Sequence, residues 1–473
     1  MKSLITTSSS LILLCLLAFN GLTAQETSIS PYSRFGIGDL ESLDFVSNFG
    51  MGGTGVGVVD VLHVNPMNPA SISFLGFPTF EVGTKGQYGT ISSSTLDVTR
   101  NNFRLNHFSV GFPFNKGKMG AAFGLTPYSS IGHDSFSDTY IPELDITQRS
   151  EFIGTGGLNR IFLDLARNLI FIKDTSSFNQ HSRVSFGAEF EYLFGSLVTK
   201  RNSIFPGSSG FMNTRVEDAT TLNDVSFKLS SLGRFYLNKK ESDEDKNFTV
   251  LNVGLVYDFG GALSGRKSQD AYTYSENVSG FETFKDSVNS FTDVKGGIQL
   301  PTRISLGTSI DFFFQPESAK NLHKMTLALD YRTSDWSGLK EDFQGEKTFK
   351  DLGTLAMLNA GISYQPDANL RTNSRVSSFS IATYRLGYRT GNTHLNIDNQ
   401  AITETGMSFG LSLPVLAGGL NRTNTQLDLG VEYSTRGSID NGLLEERFWN
   451  FMVGFSFHPY ARFDQWFQRR KYD

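Results

Sequence analysis

Residues 425–436, TQLDLGVEYSTR, place Leu427, Leu429, Val431 and Tyr433 on one face of an extended chain and Asp428, Gly430, Glu432, Ser434 and Arg436 on the other. Side chains of a strand alternate with a period of two, so such a segment suits lipid on one side and water on the other. The pattern recurs. Val184, Phe186, Ala188, Phe190, Tyr192 and Phe194 oppose Arg183, Ser185, Gly187, Glu189 and Glu191, and Ile304, Leu306, Ile310 and Phe312 oppose Arg303, Ser305, Gly307 and Asp311. A Lys or Arg at the hydrocarbon midplane costs about 2–4 kcal/mol, so the charged faces must line a lumen.

Fourteen such segments follow one another, at about 78–90, 104–114, 118–131, 149–172, 182–200, 222–238, 248–262, 295–313, 323–336, 352–366, 375–392, 404–415, 423–436 and 445–457. An even count brings both chain ends to one side of a membrane. The long connections 91–103, 132–148, 201–221, 263–294 and 337–351 then fall outside, and short ones such as 115–117, 173–181, 239–247 and 314–322 fall inside, as in outer-membrane barrels. The pattern predicts an all-β, 14-stranded antiparallel transmembrane β-barrel over residues 77–457 in a bacterial outer membrane. Its last strand carries Trp449, Phe451, Phe455 and Phe457 on one face as the expected insertion signal.

The flanks read differently. Lys2, the apolar run Leu11–Leu17 and small residues up to Ala24 form a secretory signal peptide over 1–24. Residues 25–76 lack strand periodicity and carry GMGGTGVG at 50–57 and NPMNPAS at 65–71, which suits a compact, tightly turned segment. After the last strand, 458–473 has Phe463, Trp466 and Phe467 at helical spacing before Arg469, Arg470 and Lys471, an amphipathic periplasmic tail suited to the inner leaflet or to a protein partner.

Composition narrows the classes. Hydrophobic residues make up 39%, with no internal apolar run near the length of a spanning helix, while 42 Phe and 47 Gly suit a barrel's lipid face and crowded inner wall. The net charge of −5, with both signs mixed along the chain, argues against nucleic acid as a partner. Gly50-x-Gly52-x-x-Gly55 matches the dinucleotide fingerprint in letters but lacks its strand–helix frame, so Gly50, Gly52, Gly53 and Gly55 read as structural. The seven histidines show no metal-ligand spacing, and no G-x-S-x-G elbow is present. No enzyme activity, cofactor or metal is expected. The lumen charges Glu189, Glu191, Arg385, Arg389, Asp428, Glu432 and Arg436 read either as ion pairs that fill the barrel or as a ring that gates it.

The stretches HFSVGFPFNKGKMGAAFGLTPYSSIG (107–132), LPTRISLG (300–307), LALDYRTSDWS (327–337) and NPA (68–70) resemble the FadL/TodX family of outer-membrane channels for hydrophobic compounds. YRLGYR (384–389), TETGMSFGLSLP (403–414), LDLGVEYSTRGS (427–438) and WFQRRKYD (466–473) resemble its Bacteroidota-type branch. The resemblance implies a lumen closed by an N-terminal hatch, here 25–76 and including Asn68, Pro69 and Ala70, whose shift passes an apolar ligand through a gap in the wall into the membrane lipid.

Two functions therefore stand. One is passive uptake of a small hydrophobic compound or lipid by a hatch-gated route. The other is a non-transporting structural barrel, an accessory subunit of an outer-membrane protein secretion or assembly complex, which the polar loop 263–294 favours. An apolar cavity joined to a break in the wall would support the first. A lumen filled with ion pairs would support the second.

Overall fold

The computed structural model describes residues 28–459 except 116–117, 174–180, 207–209, 239–246, 277–280, 317–320, 350, 369–377 and 416–424. The expected signal peptide and nearly all of the tail lie outside the described residues. Fourteen antiparallel strands form the wall: β1 (Thr79–Ser92), β2 (Asp97–Phe114), β3 (Met119–Ile141), β4 (Ile146–Lys173), β5 (His181–Ile204), β6 (Asn213–Tyr236), β7 (Phe248–Asp258), β8 (Arg303–Phe314), β9 (His323–Asp335), β10 (Thr354–Gln365), β11 (Thr383–Ile397), β12 (Gln400–Val415), β13 (Thr425–Gly437) and β14 (Glu445–Phe457). Each pairs with the next, and β14 pairs with β1 from Glu445↔Ser92 to Phe457↔Phe80, which closes the ring. Closure removes the sheet edges that hydrocarbon cannot satisfy. The predicted alternation is present. Trp449, Phe451, Val453 and Phe455 are exposed to the outside while Asn450, Met452, Gly454 and Ser456 are buried inside.

The extracellular end departs from expectation. The supposed loop 263–294 is a β-hairpin with arms Gly261–Glu276 and Glu282–Leu300, and the expected strand 295–313 is divided at Pro301–Thr302 into the second arm and β8. The long β6 explains this. Its lower half, Lys228–Tyr236, pairs with β7, while Asn213–Asn223 above pairs with the first arm. Gly260, at φ +65°, turns the chain between the two partners. The supposed loops 132–148 and 201–221 are likewise largely upward extensions of β3, β4, β5 and β6. Water bathes both faces of most of this ribbon's outer arm, 282–295, so no apolar–polar contrast marks that arm in the sequence. The outer arm carries three register shifts and the charges Lys285, Asp286, Asp293 and Lys295, features that blunt an exposed edge.

The core lies inside the ring. A chain segment from Ser28 to Leu75 runs through the lumen as two short 3-10 turns, Pro31–Arg34 and Pro69–Phe74, a single helical turn at Val46–Phe49 and a two-residue strand at Asp39–Leu40. At the extracellular end, Tyr32 and Ile37 of this segment pack with Trp336, Leu339, Phe343, Leu352, Leu395 and Leu443 into one apolar cluster. Trp336 follows the upper end of β9 and Leu443 precedes that of β14, so the cluster caps the lumen.

Candidate functional site

The inner segment meets the wall by backbone contact. A Cβ on Gly50 would stand 2.6 Å from Gly410 Cα of β12, one on Gly52 2.7 Å from Tyr388 N of β11, and one on Gly57 2.6 Å from Gly307 C of β8. On the wall, Gly361 of β10 would press on Met51 O and Gly430 of β13 on the Phe49 ring. Contacts with strands all round the ring are open only to a segment inside it. Gly52 and Gly53 also have φ of +69° and +74°, which a side chain would strain.

Polar side chains of the wall then take up the freed backbone groups. Gly55 N and Val56 N donate to Asp330 Oδ2 at 2.6 and 2.8 Å, Gly52 N donates to Ser408 Oγ at 2.9 Å, and Ser309 Oγ donates to Gly57 O at 2.8 Å. Asn68 accepts from Ala70 N at 3.0 Å and donates to Val56 O at 2.7 Å, holding the turn that begins at Pro69. Ala70 N also donates to Ser230 Oγ at 2.9 Å. These bonds fix the segment at many points.

The charged residues named from the sequence all face inward, in three groups. On β4, β5 and β6, buried Arg160 and Lys228 share Glu189 and Glu191, with Lys228 Nζ at 2.7 and 2.9 Å from the two carboxylates. Nearer the cap, Arg389 pairs with Glu404 at 2.6 Å and Glu432 at 2.9 Å, and Arg436 pairs with Asp39 at 3.0 Å and Glu446 at 2.6 Å. At the periplasmic side, Arg385 donates to Ser412, which donates to Asp428. His63 of the inner segment sits 2.9 Å from Asp60 and 3.3 Å from Asp428. The chemistry available is ion pairing and hydrogen bonding; the arrangement joins the segment to the wall.

Among the described residues, the wall opens at a seam between β2 and β3. β2 and β3 are paired only from Phe108–Phe114 to Met119–Leu125; above that, Asp97–His107 pairs with β1 and Thr126–Ile141 with β4. The inner segment straps the seam. Asp39 and Leu40 pair with Ser130 and Ser129 of β3, Glu41 N donates to Tyr128 O at 3.0 Å, and the Glu41 carboxylate reaches Arg104 of β2 and, at 3.8 Å, Lys85 of β1. The space left beside the strap is small and charged: one cavity of about 110 Å³ lined by Glu41, Arg303, Arg332, Arg389, Glu404 and Arg436, and one of about 90 Å³ that includes Lys85 and Arg389.

Sequence reasoning missed several of these parts. Arg160 and Lys228 lie on inward positions of predicted strands and could have been found by following the alternation. Glu41 and Trp336 carry no such periodic signal. Trp449, Phe451 and Phe455 lie on the outer face, and Phe457 sits at its lower rim against Phe80, with ring centres 6.3 Å apart. On the extracellular ribbon, Arg215 bonds Glu282 through two nitrogens at 2.8 and 2.7 Å, and a hydrogen bond from Arg266 holds the Asp293 carboxyl below its ordinary value.

A family model described as BamG matches residues 6–473. The toluene transporter TbuX of Ralstonia pickettii has a TM-score of 0.51 at 13% identity, over 89% of this chain and 99% of that one. The toluene transporter TodX of Pseudomonas putida gives 0.49 at 15%, over 89% and 98%, and a FadL homologue of Pseudomonas aeruginosa gives 0.49 at 12%, over 90% and 100%. Curated proteins offer no match. At such identity the likeness to TbuX speaks for the barrel and is silent on cargo.

Proposed function

The chain belongs to the BamG family, and we propose that this outer-membrane barrel is a non-transporting accessory subunit of the BAM complex, which assembles outer-membrane proteins. The FadL/TodX resemblance read from 107–132 and 300–307 holds for the fold, while the family is BamG. The protein has no enzymatic role. Its partners on this reading are proteins of the assembly complex, with membrane lipid around the barrel.

The observation that carries this reading is the filling of the lumen. Ligand pockets for small apolar molecules are roughly 300–1,000 Å³ with mostly apolar walls. Here cavities of about 110 and 90 Å³ are lined largely by charged side chains, several of them paired, beneath an apolar cap closed by Trp336 and Leu339, which are 1% and 2% exposed. An apolar cargo would have to displace ion pairs and the cap together. The lumen charges then serve structure: they hold the inner segment as a fixed strut, and the outer surface is free for protein contacts.

Affinity purification from native outer membranes in mild detergent, with mass spectrometry of proteins and lipids, tests this. Stoichiometric recovery of assembly-complex proteins is expected. An apolar compound co-purifying with no stoichiometric protein would overturn it. The seam above Phe108 and Leu125 favours a second reading, passage of a hydrophobic compound sideways into the membrane once the Glu41 strap moves. Faster uptake of an aromatic hydrocarbon by cells carrying the protein than by cells lacking it would support that one.

A further inference from the structure

The cavity of about 110 Å³ beneath the cap has more cationic than anionic side chains in its lining. Arg303 of β8, Arg332 of β9, Arg389 of β11 and Arg436 of β13 line it against Glu41 and Glu404. Both acids are already engaged, Glu41 by Arg104 and Lys85 and Glu404 by Arg389. Arg436 is satisfied by Asp39 and Glu446. Arg332 gives one nitrogen to Gly53 O at 2.5 Å.

Arg303 has no carboxylate at ion-pair distance among the described residues. Asp258 stands opposite it on β7, but its Oδ1 accepts from Gly260 N at 3.0 Å. The enclosed Nε atoms of Arg303, Arg332 and Arg389 meet no acceptor among the described residues. Arg303 thus lines the cavity without a carboxylate partner among the described residues, and a guanidinium so placed gains most from an oxyanion that its fork can hold.

We propose that this cavity binds one small oxyanion of the phosphate class. Guanidinium forks from β8 and β9 would meet it on one side and Arg389 on the other, the geometry in which arginine exceeds lysine as an oxyanion ligand. Asn359, 2% exposed, lines the same space and donates from its amide to Gly52 O. The volume fits an anion of that size. Because Leu40 and Leu43 of the inner segment also line the cavity, the anion clamps that segment to three strands of the wall. It acts as a structural ligand.

The test uses the full-length protein purified in detergent without phosphate, then equilibrium dialysis against radiolabelled inorganic phosphate at fixed ionic strength. About one phosphate per chain should bind saturably and be displaced by sulfate. Arg303→Gln should weaken binding by roughly tenfold or more, the loss of one charge-assisted contact. Arg201→Gln removes a guanidinium paired with Asp218 at 3.0 Å on the exposed ribbon and should leave binding unchanged. Heat-modifiable migration on gels reports whether each variant is a folded barrel. If Arg303→Gln is not, Arg303→Lys, which keeps the charge and loses the fork, should still weaken binding severalfold. Unsaturable binding in the natural protein, or equal binding in the folded Arg303 variants, would sink the proposal, as would a high-resolution map with water alone in the cavity.

Discussion

Gly50 and Gly410 face each other without side chains: a Cβ on Gly50 would stand 2.6 Å from Gly410 Cα, and one on Gly410 would stand 2.8 Å from Gly50 Cα. The inner segment and β12 can touch only because both are bare there. Gly410→Leu should therefore displace the segment locally, with an overpacking cost of about 1–3 kcal/mol. The measurement is limited proteolysis of folded barrels, in which the variant should be cut within residues 28–76 several times faster than the natural protein. Gly338→Ala, at a position with nothing within 4 Å, should leave the digestion pattern unchanged.

Glu41 is the residue that ties the strap to both sides of the seam. Its carboxylate accepts from Ser130 of β3 at 2.6 Å and pairs with Arg104 of β2. Removing one partner of an enclosed ion pair costs about 3–5 kcal/mol, since the other charge stays enclosed and unmatched. Glu41→Gln should loosen the Asp39–Leu40 strand from Ser129 and Ser130. In a chain carrying Ser129→Cys, maleimide labelling should then rise severalfold; unchanged labelling would show that the seam is held without the strap.

The barrel was legible because its chemistry alternates. Leu427, Leu429 and Val431 against Asp428, Gly430 and Glu432 announce lipid and lumen, and the structure keeps that division. The ribbon was not legible because 282–295 has water on both sides, so its polar residues resemble those of a loop. Trp336, Leu339 and Phe343 fell in what read as a polar connection, 337–351 and its edge; three apolar residues meet only through tertiary contacts with Tyr32 and Ile37. The seam left no trace either. Pairing depends on a neighbour, and β2 and β3 are extended both where they pair and where they do not.

Lys228 sits between Glu189 and Glu191 with Arg160 beyond them, all four enclosed. Lys228→Met would leave two carboxylates to one guanidinium. A loss of about 3–5 kcal/mol in urea unfolding is expected. Adding Glu189→Gln removes one of the carboxylates left facing Arg160, beside buried Asp164, and should recover a good part of the loss. A double variant no more stable than Lys228→Met alone would refute pairing as the role of this group.

The outer face of β14 can be tested by contrast with its inner face. Phe451 is 47% exposed among lipid-facing neighbours, and Arg there should cost about 2–4 kcal/mol if it lies near the midplane. Phe451→Arg should reduce the fraction of heat-modifiable barrel recovered from membranes. Phe457 lies at the lower rim against Phe80, so Phe457→Asp should impair insertion through the loss of that aromatic contact as well as through its charge. Normal yields from both would show that the aromatic face of β14 does not direct insertion.

Trp336 separates the two functional readings. Its ring is 1% exposed, packed in the apolar cap with Leu339 and Phe343, and 5.6 Å from the His394 ring. Trp336→Ala would open a cavity in the cap at a cost of about 3–5 kcal/mol. On the assembly reading the cap is structural, so thermal stability falls, recovery of protein partners persists, and uptake of an aromatic hydrocarbon stays at the level of cells lacking the protein. The reason uptake should not rise lies below the cap, where Asp330 still holds Gly55 and Val56, and Arg389 and Arg436 still bridge the lumen. Opening the lid leaves the strut in place. A clear gain of uptake in Trp336→Ala would instead make the cap the principal barrier and return the barrel to the transporters whose fold it shares.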